Sequence, residues 1–240
     1  MVHRLQVTDV SITVGTFSLQ NVSLSATEGD ICALLGRSGS GKSTLIKTLL
    51  GLQPHRTGSI TLNNENKSVS IHDSIGYSPQ DHALFPNLTI HENIEAFLAL
   101  RGHKASKYSN RKAALIARLQ LQGHEHKRIS DLSGGMRKRA DLLVALMHDP
   151  PLLILDEPFA GLDISLKNFF WKLLQELANE GKIIVVSTHH VADAVRYCNT
   201  FGLIHNKRFY SSEQLLTRVH NDKHQLEQYI AHLFELGESL

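Results

Sequence analysis

The stretch GRSGSGKST, residues 36–44, constrains this chain more than any other. It reads glycine, four residues, then Gly-Lys-Ser, directly after the apolar run ICALL and directly before KSTLIKTLLGL, which carries a helical repeat. A phosphate-binding loop of this form works between a buried strand and a helix, and that is its setting here. Its glycines let successive backbone N–H groups curl around phosphate oxygens, while the helix N-terminus adds positive potential. Gly36, Ser38, Gly39, Ser40, Gly41, Lys42, Ser43 and Thr44 are the candidate cradle. In it, Lys42 supplies a point charge to terminal phosphates and Ser43 a hydroxyl to Mg²⁺.

A strand feeding such a loop belongs to a sheet covered on both faces. ICALLG, LLILDE and KIIVVSTH are continuous apolar runs of strand length, the pattern of parallel strands buried on both sides. Residues 5–24 differ: Leu5 and Val7, then Val10, Ile12 and Val14, then Phe17 and Leu19, then Val22 and Leu24 alternate with polar residues. That period of two predicts half-buried antiparallel strands and puts Phe17 in step with Leu19 toward a core. Helical patterns cover KSTLIKTLLGL, ENIEAFLALRG, RKAALIARLQL, MRKRADLLVALMHD and LKNFFWKLLQELANEG, the last closed by Gly181.

The predicted fold is therefore α/β, a P-loop NTPase core with a mainly parallel sheet, an N-terminal antiparallel β subdomain and an inserted α-helical subdomain. Residues 1–80 and 150–210 form the core with its antiparallel part, residues 81–149 the helical insertion, and residues 211–240 a short helical tail. In that tail, apolar residues at 226, 229, 230, 233 and 234 make one helix face.

Charge and composition exclude several function classes. Lys plus Arg number 25 against 23 Asp plus Glu, which gives no reason to expect a nucleic-acid groove. No apolar stretch reaches the roughly 18 to 20 residues of a membrane span, and the first ten residues lack a signal-peptide core, so a cytoplasmic location is expected. Cys32 and Cys198, the only cysteines, sit among apolar neighbours and read as buried free thiols.

PLLILDEP ends a buried strand in two carboxylates, Asp156 and Glu157, at the carboxyl edge where α/β sheets hold ligands. Two acids closing an apolar run call for a cation or a water. Asp156 suits Mg²⁺ coordination and Glu157 suits the base that polarises an attacking water; the alternative is an acidic turn that caps the next helix. Two more strand ends carry polar groups. SIGYSPQ leads to Gln80, able to reach the metal and the water, and IIVVSTH leads to His189, able to hold a γ phosphate.

LSGGMRKR, residues 132–139, places Ser133, Gly134 and Gly135 before another apolar helix. A hydroxyl, two bare residues and a helix N-terminus repeat the physics of the first loop and read as a second phosphate-binding surface. Ser133 is 91 positions beyond Lys42 with no strand-linked loop of its own, so the economical reading is closure on nucleotide held by another subunit. Arg137, Lys138 and Arg139 follow; they form a solvated basic face, or one of them meets an acidic or nucleotide group across that interface.

In this order the motifs resemble those of the ATP-binding subunit of ABC transporters: Walker A at 36–44, Gln80, the signature LSGGM at 132–136, Walker B at 152–157, AGLD at 160–163 and His189. The resemblance implies ATP and Mg²⁺ as ligands and a head-to-tail dimer, homodimeric or heterodimeric, with each ATP between one Walker A and the other subunit's Ser133, Gly134 and Gly135. It implies that Asp163 runs along that interface, and that Gln80 and Asp156 join Ser43 around the metal. It also implies transmembrane permease partners, received by the segment DHALFPNLTIHENI, and a peripheral position on the cytoplasmic face of the membrane. LFPNLTIHENIEAFLALRG followed by LSGGMRKR looks most like ABC-2-type exporter subunits. Met136 stands where glutamine is most frequent in the family, and Val14 where an aromatic residue usually stacks on adenine, with Phe17 nearby.

The second reading is a soluble, non-transport ABC ATPase of the cofactor-assembly or scaffold type. Translation-type relatives require a second Walker A and repair types a long coiled coil, and neither is present in this sequence. A P-loop GTPase or kinase lacks support here, because there is no Asn-Lys-x-Asp base-reading motif and LSGG stays unexplained.

Overall fold

The three continuous apolar runs lie side by side. β3 (Ile31–Leu35), β7 (Leu152–Leu155) and β8 (Ile183–Thr188) are buried along their whole length and run parallel in the order β3-β8-β7. β9 (Thr200–His205) joins β3 and β6 (Ile75–Ser78) joins β7, both parallel, while β10 (Arg208–Ser211) turns back antiparallel on β9. The computed structural model describes residues 3–64, 67–68, 74–81, 83–220 and 222–236.

Successive residues of these strands face opposite covers. Ala33, Leu35, Leu153, Leu155, Ile184 and Val186 join a core built with α4 (Gly134–Leu146) and α5 (Ile164–Asn179). Cys32, Leu34, Leu152, Ile154, Ile183 and Val185 face the other way, toward α1 (Lys42–Leu49) and the antiparallel strands β1 (His3–Val14) and β2 (Phe17–Thr27). The period-2 stretch is thus an antiparallel hairpin, extended by β4 (Thr57–Asn64) and β5 (Lys67–Ser68) in the sheet order β5-β4-β1-β2-β10-β9-β3-β8-β7-β6. Cys32 and Cys198 are free and buried, and burial pushes the Cys32 thiol up to about 12.

Between β6 and β7 the described residues form helices and no multi-residue strand: α2 (Ile90–Leu100), α3 (Ser109–Arg118) and α4, with 3-10 turns at Ala105–Tyr108 and Ile129–Asp131. α2 opens on a capping box, in which Thr89 accepts from the Glu92 N–H and the Glu92 carboxylate accepts from the Thr89 N–H. After β8 come α6 (Val191–Tyr197), α7 (Ser212–Arg218) and α8 (Lys223–Leu236). Leu226, Ile230 and Leu233 of α8 are buried in the same core as α4 and α5, so the last helix is fastened to the domain. No described helix is long and apolar enough to cross a membrane.

Short elements escaped the periodicity. β4, β5, the β9–β10 hairpin, α6 and α7 are too brief or too mixed in polarity to repeat a pattern.

One close approach fixes how the helices sit on the sheet. A Cβ at Gly76 of β6 would stand 2.3 Å from the carbonyl oxygen of Ala145 in α4. Helix backbone therefore lies directly on strand backbone, which only glycine allows. Gly76→Ala should push α4 away and cost about 1 to 3 kcal/mol in urea unfolding; an unchanged midpoint would refute the close approach.

Candidate nucleotide-binding site

Buried strands cannot carry charge within the sheet, so the polar groups collect where β3, β6, β7 and β8 end. The loop after β3 enters α1 through Gly41, which provides no side-chain cap to the first turn of the helix. The N–H groups of that turn have no side-chain cap, as a phosphate site requires. The Lys42 ammonium is 6% exposed and donates to the carbonyls of Gly36 (2.8 Å) and Arg37 (3.2 Å). Its third partner is Glu157 Oε1, at 3.1 Å. The other oxygen of Glu157, Oε2, lies 3.1 Å from His189 Nδ1, so one carboxylate bridges the P-loop lysine and the histidine after β8.

Glu157 adopts φ of 45°, an uncommon conformation for a residue with a side chain. Ser187 of β8 holds it there. Its hydroxyl accepts from the Glu157 N–H (2.8 Å) and donates to Asp156 Oδ1 (2.5 Å), so one buried oxygen orients both acids. The acidic turn is thus pinned to the neighbouring strand and does not cap a helix: α5 is capped by Asp163, whose Oδ1 accepts from the Leu166 N–H. Downstream, Phe159 stacks on Trp171, which stacks in turn on Tyr197, at centroid distances of 4.3 and 4.8 Å. This aromatic column anchors the segment after the two acids.

Ser38, Gly39, Gly41, Lys42, Ser43, Thr44, Gln80, Glu157 and His189 line one cavity of about 270 Å³. Asp156 is buried, Gly36 contributes its carbonyl to Lys42, and the Ser40 hydroxyl is buried against Gly36, where a Cβ would stand 2.4 Å from it. An uncapped helix N-terminus, a buried lysine, two carboxylates and a glutamine oxygen suit a magnesium-bound triphosphate.

Ser133, Gly135 and Asp163 line a separate depression of about 620 Å³, away from Lys42. The Ser133 hydroxyl caps α4 by accepting from the Met136 N–H at 3.3 Å. The paired glycines have different reasons. A Cβ at Gly134 would meet nothing within 4 Å, which leaves open backbone at the helix N-terminus. A Cβ at Gly135 would stand 2.5 Å from Leu166 Cδ2, so that glycine admits α5.

The basic run departs from a solvated face. Lys138 is 5% exposed, because its position on α4 faces β6, and it donates to the carbonyls of Pro79 and Gln80, each at 3.2 Å. The Arg139 guanidinium lies 4.8 Å above the Phe169 ring. Val14 is exposed, and Phe17, half-buried, packs against Gly41 beneath the phosphate loop. Sequence reasoning missed Ser187. Its signal was a pair of hydroxyl residues, Ser187 and Thr188, closing a strand that is otherwise apolar and wholly buried.

Fold and cavity together define a P-loop nucleotide-binding domain. Residues 19–160 match the family described as ABC transporter. The chain is 34% identical over 196 residues to the Nod factor export ATP-binding protein I of Cupriavidus pinatubonensis, covering 80% of this chain and 60% of that one. It is 36% identical over 204 residues to the sulfate/thiosulfate import ATP-binding protein CysA of Synechocystis, covering 83% and 58%. A solved ATP-binding subunit of an ABC transporter superposes with a TM-score of 0.81 at 27% identity, covering 95% and 99%. This chain belongs to the ABC transporter family and is an ATP-binding domain of it. It spans less than two thirds of the length of those two sequence relatives.

Ser187→Ala should leave the Glu157 N–H without its partner and cost about 1 to 3 kcal/mol. Urea unfolding with the nucleotide-free chain measures it, and a midpoint equal to wild type would remove Ser187 from the support of the acidic turn.

Proposed function

We propose that this domain hydrolyses ATP to drive substrate movement, as export, through separate transmembrane subunits. The observation that carries the reading is the bridge Lys42–Glu157–His189 in the cavity at the N-terminus of α1. Backbone N–H groups of residues 38–44 bind the phosphates, and Lys42 transfers its charge from Glu157 to the terminal phosphate. Once free of Lys42, the Glu157 carboxylate takes a proton from the attacking water, while His189 donates to the γ-phosphate oxygen. Ser43, Gln80 and Asp156 would hold Mg²⁺, which would supply positive charge to the phosphates when bound.

The second half of the pocket comes from another subunit. Gly134 offers open backbone at the start of α4, and Ser133, Gly135 and Asp163 adjoin it on a surface separate from Lys42, so a head-to-tail homodimer or heterodimer brings complementary surfaces together. On this reading residues 1–80 and 150–210 act as the ATP-binding core, residues 81–149 as the subdomain that carries the signature, and residues 211–240 as a packed tail. A cleft between β6, α2 and α4, lined by Tyr77, Leu84, Phe97 and Met147, with exposed Phe85 nearby, suits a coupling helix of the membrane subunit. His82, within the segment assigned to that contact, lies outside the described residues. The domain would then sit on the cytoplasmic face of the membrane. Export as direction is supported by the family likeness to the Nod factor relative.

Glu157→Gln should retain ATP binding and lose turnover by about 10² to 10⁴-fold; near-normal turnover would deny Glu157 the role of base. Ser133→Arg should bind ATP as a monomer and fail to dimerise with it, and cross-linking that still captures an ATP-dependent dimer would dismiss the shared pocket. Purification from membranes should bring a multi-span partner with the chain, whereas a strictly soluble complex would favour a non-transport ATPase.

A further inference from the structure

The signature helix α4 and the residue Gln80 belong to different segments, yet one buried cation joins them. Ala145 of α4 lies against Gly76 of β6 with no room for a side chain between them. From Ala145 back to Lys138 the helix rises about 10 Å, and from Gly76 on to Pro79 and Gln80 the strand advances about 10 to 13 Å. The two paths meet. The Lys138 ammonium donates to the carbonyls of both Pro79 and Gln80 at 3.2 Å, with only 5% of the residue exposed.

An ion in that position is expensive. Burial holds the Lys138 ammonium below the usual lysine range, opposed by the charges of Asp141, Asp156, Asp81 and Glu157 around it. An apolar side chain of similar length would pack there at a lower desolvation cost but would leave two carbonyls of the Gln80 turn without their donor.

We propose that Lys138 is a positioning residue for the ATPase reaction: it fastens the backbone of Gln80 to the first turns of the signature helix, so that the two move as one piece. The inference rests on the proposed ATPase function. Its consequence is specific. Whatever shifts the N-terminus of α4, whether nucleotide arriving from a second subunit or strain in the helical segment, also shifts the Gln80 side chain toward or away from Ser43 and Asp156. Lys138 touches neither nucleotide nor metal and acts only through Gln80.

The test compares Lys138→Met, Gln80→Ala and the double variant in the full chain, with turnover, Mg²⁺ half-saturation, nucleotide affinity and thermal midpoint as readouts. Lys138→Met should lower turnover about 10- to 100-fold, the scale of a misplaced catalytic group. It should also raise the Mg²⁺ concentration needed, as Gln80→Ala does, while nucleotide affinity stays near wild type. The double variant should be no slower than the slower single one, because both act through the same group. Lys138→Gln keeps a donor and should recover part of the loss; it carries the comparison if the methionine variant does not fold. Multiplying effects in the double variant, an unchanged Mg²⁺ requirement, or losses confined to thermal midpoint would overturn the assignment. A wild-type chain without ATP turnover would instead overturn the ATPase reading itself.

Discussion

The ion pair between Lys42 and Glu157 is the interaction on which the rest of the site depends. It joins the first residue of α1 to the turn just after β7, across the carboxyl edge of the sheet where β3 and β7 are apolar along their length. Both groups are nearly buried, so neither is stable there without a counter-charge. The pairing has two further requirements. The P-loop must curl so that the carbonyls of Gly36 and Arg37 also accept from the ammonium, and the acidic turn must be held in its left-handed conformation by Ser187. Each is met by a different strand, which is why the site forms only when β3, β7 and β8 are adjacent.

Features that repeat, or that end an apolar run, were legible in the sequence. Ile31–Leu35, Leu152–Leu155 and Ile183–Thr188 are buried on both faces, and continuous apolarity encodes that directly. The residues that end these runs, Asp156, Glu157 and His189, stand out because polar groups closing an apolar run call for a partner such as a cation or a water. Ser187 was hidden because a serine in a strand is ordinary; its value appears only when β8 lies beside β7 and one hydroxyl reaches both acids. Lys138 was misjudged by charge alone. Its helical spacing carried the answer, since Lys138, Asp141, Leu142 and Ala145 fall on one face of α4 and all four are buried.

The signature glycines illustrate how two constraints share one motif. Bare backbone at Gly134 serves the outside of the chain, and bare backbone at Gly135 serves the inside, where Leu166 of α5 takes the space. Asp163 caps the helix that carries Leu166, and Arg139 of α4 lies over Phe169 of the same helix. The start of α4 and the start of α5 are therefore positioned as a unit. A glycine pattern read only as room for phosphate misses this half of its purpose, because sequence spacing does not reveal which helix will press against it.

Under the proposed function, charge placement decides when Glu157 is free to act. Glu157 is engaged through Oε1 with Lys42 and through Oε2 with His189. On the proposed function, a phosphate chain entering the cavity would compete with Glu157 for the ammonium through its greater concentration of negative charge. Under the proposed function Glu157 is released as a base only where phosphates lie, so the contact that pairs two buried charges would also confine that chemistry to the pocket.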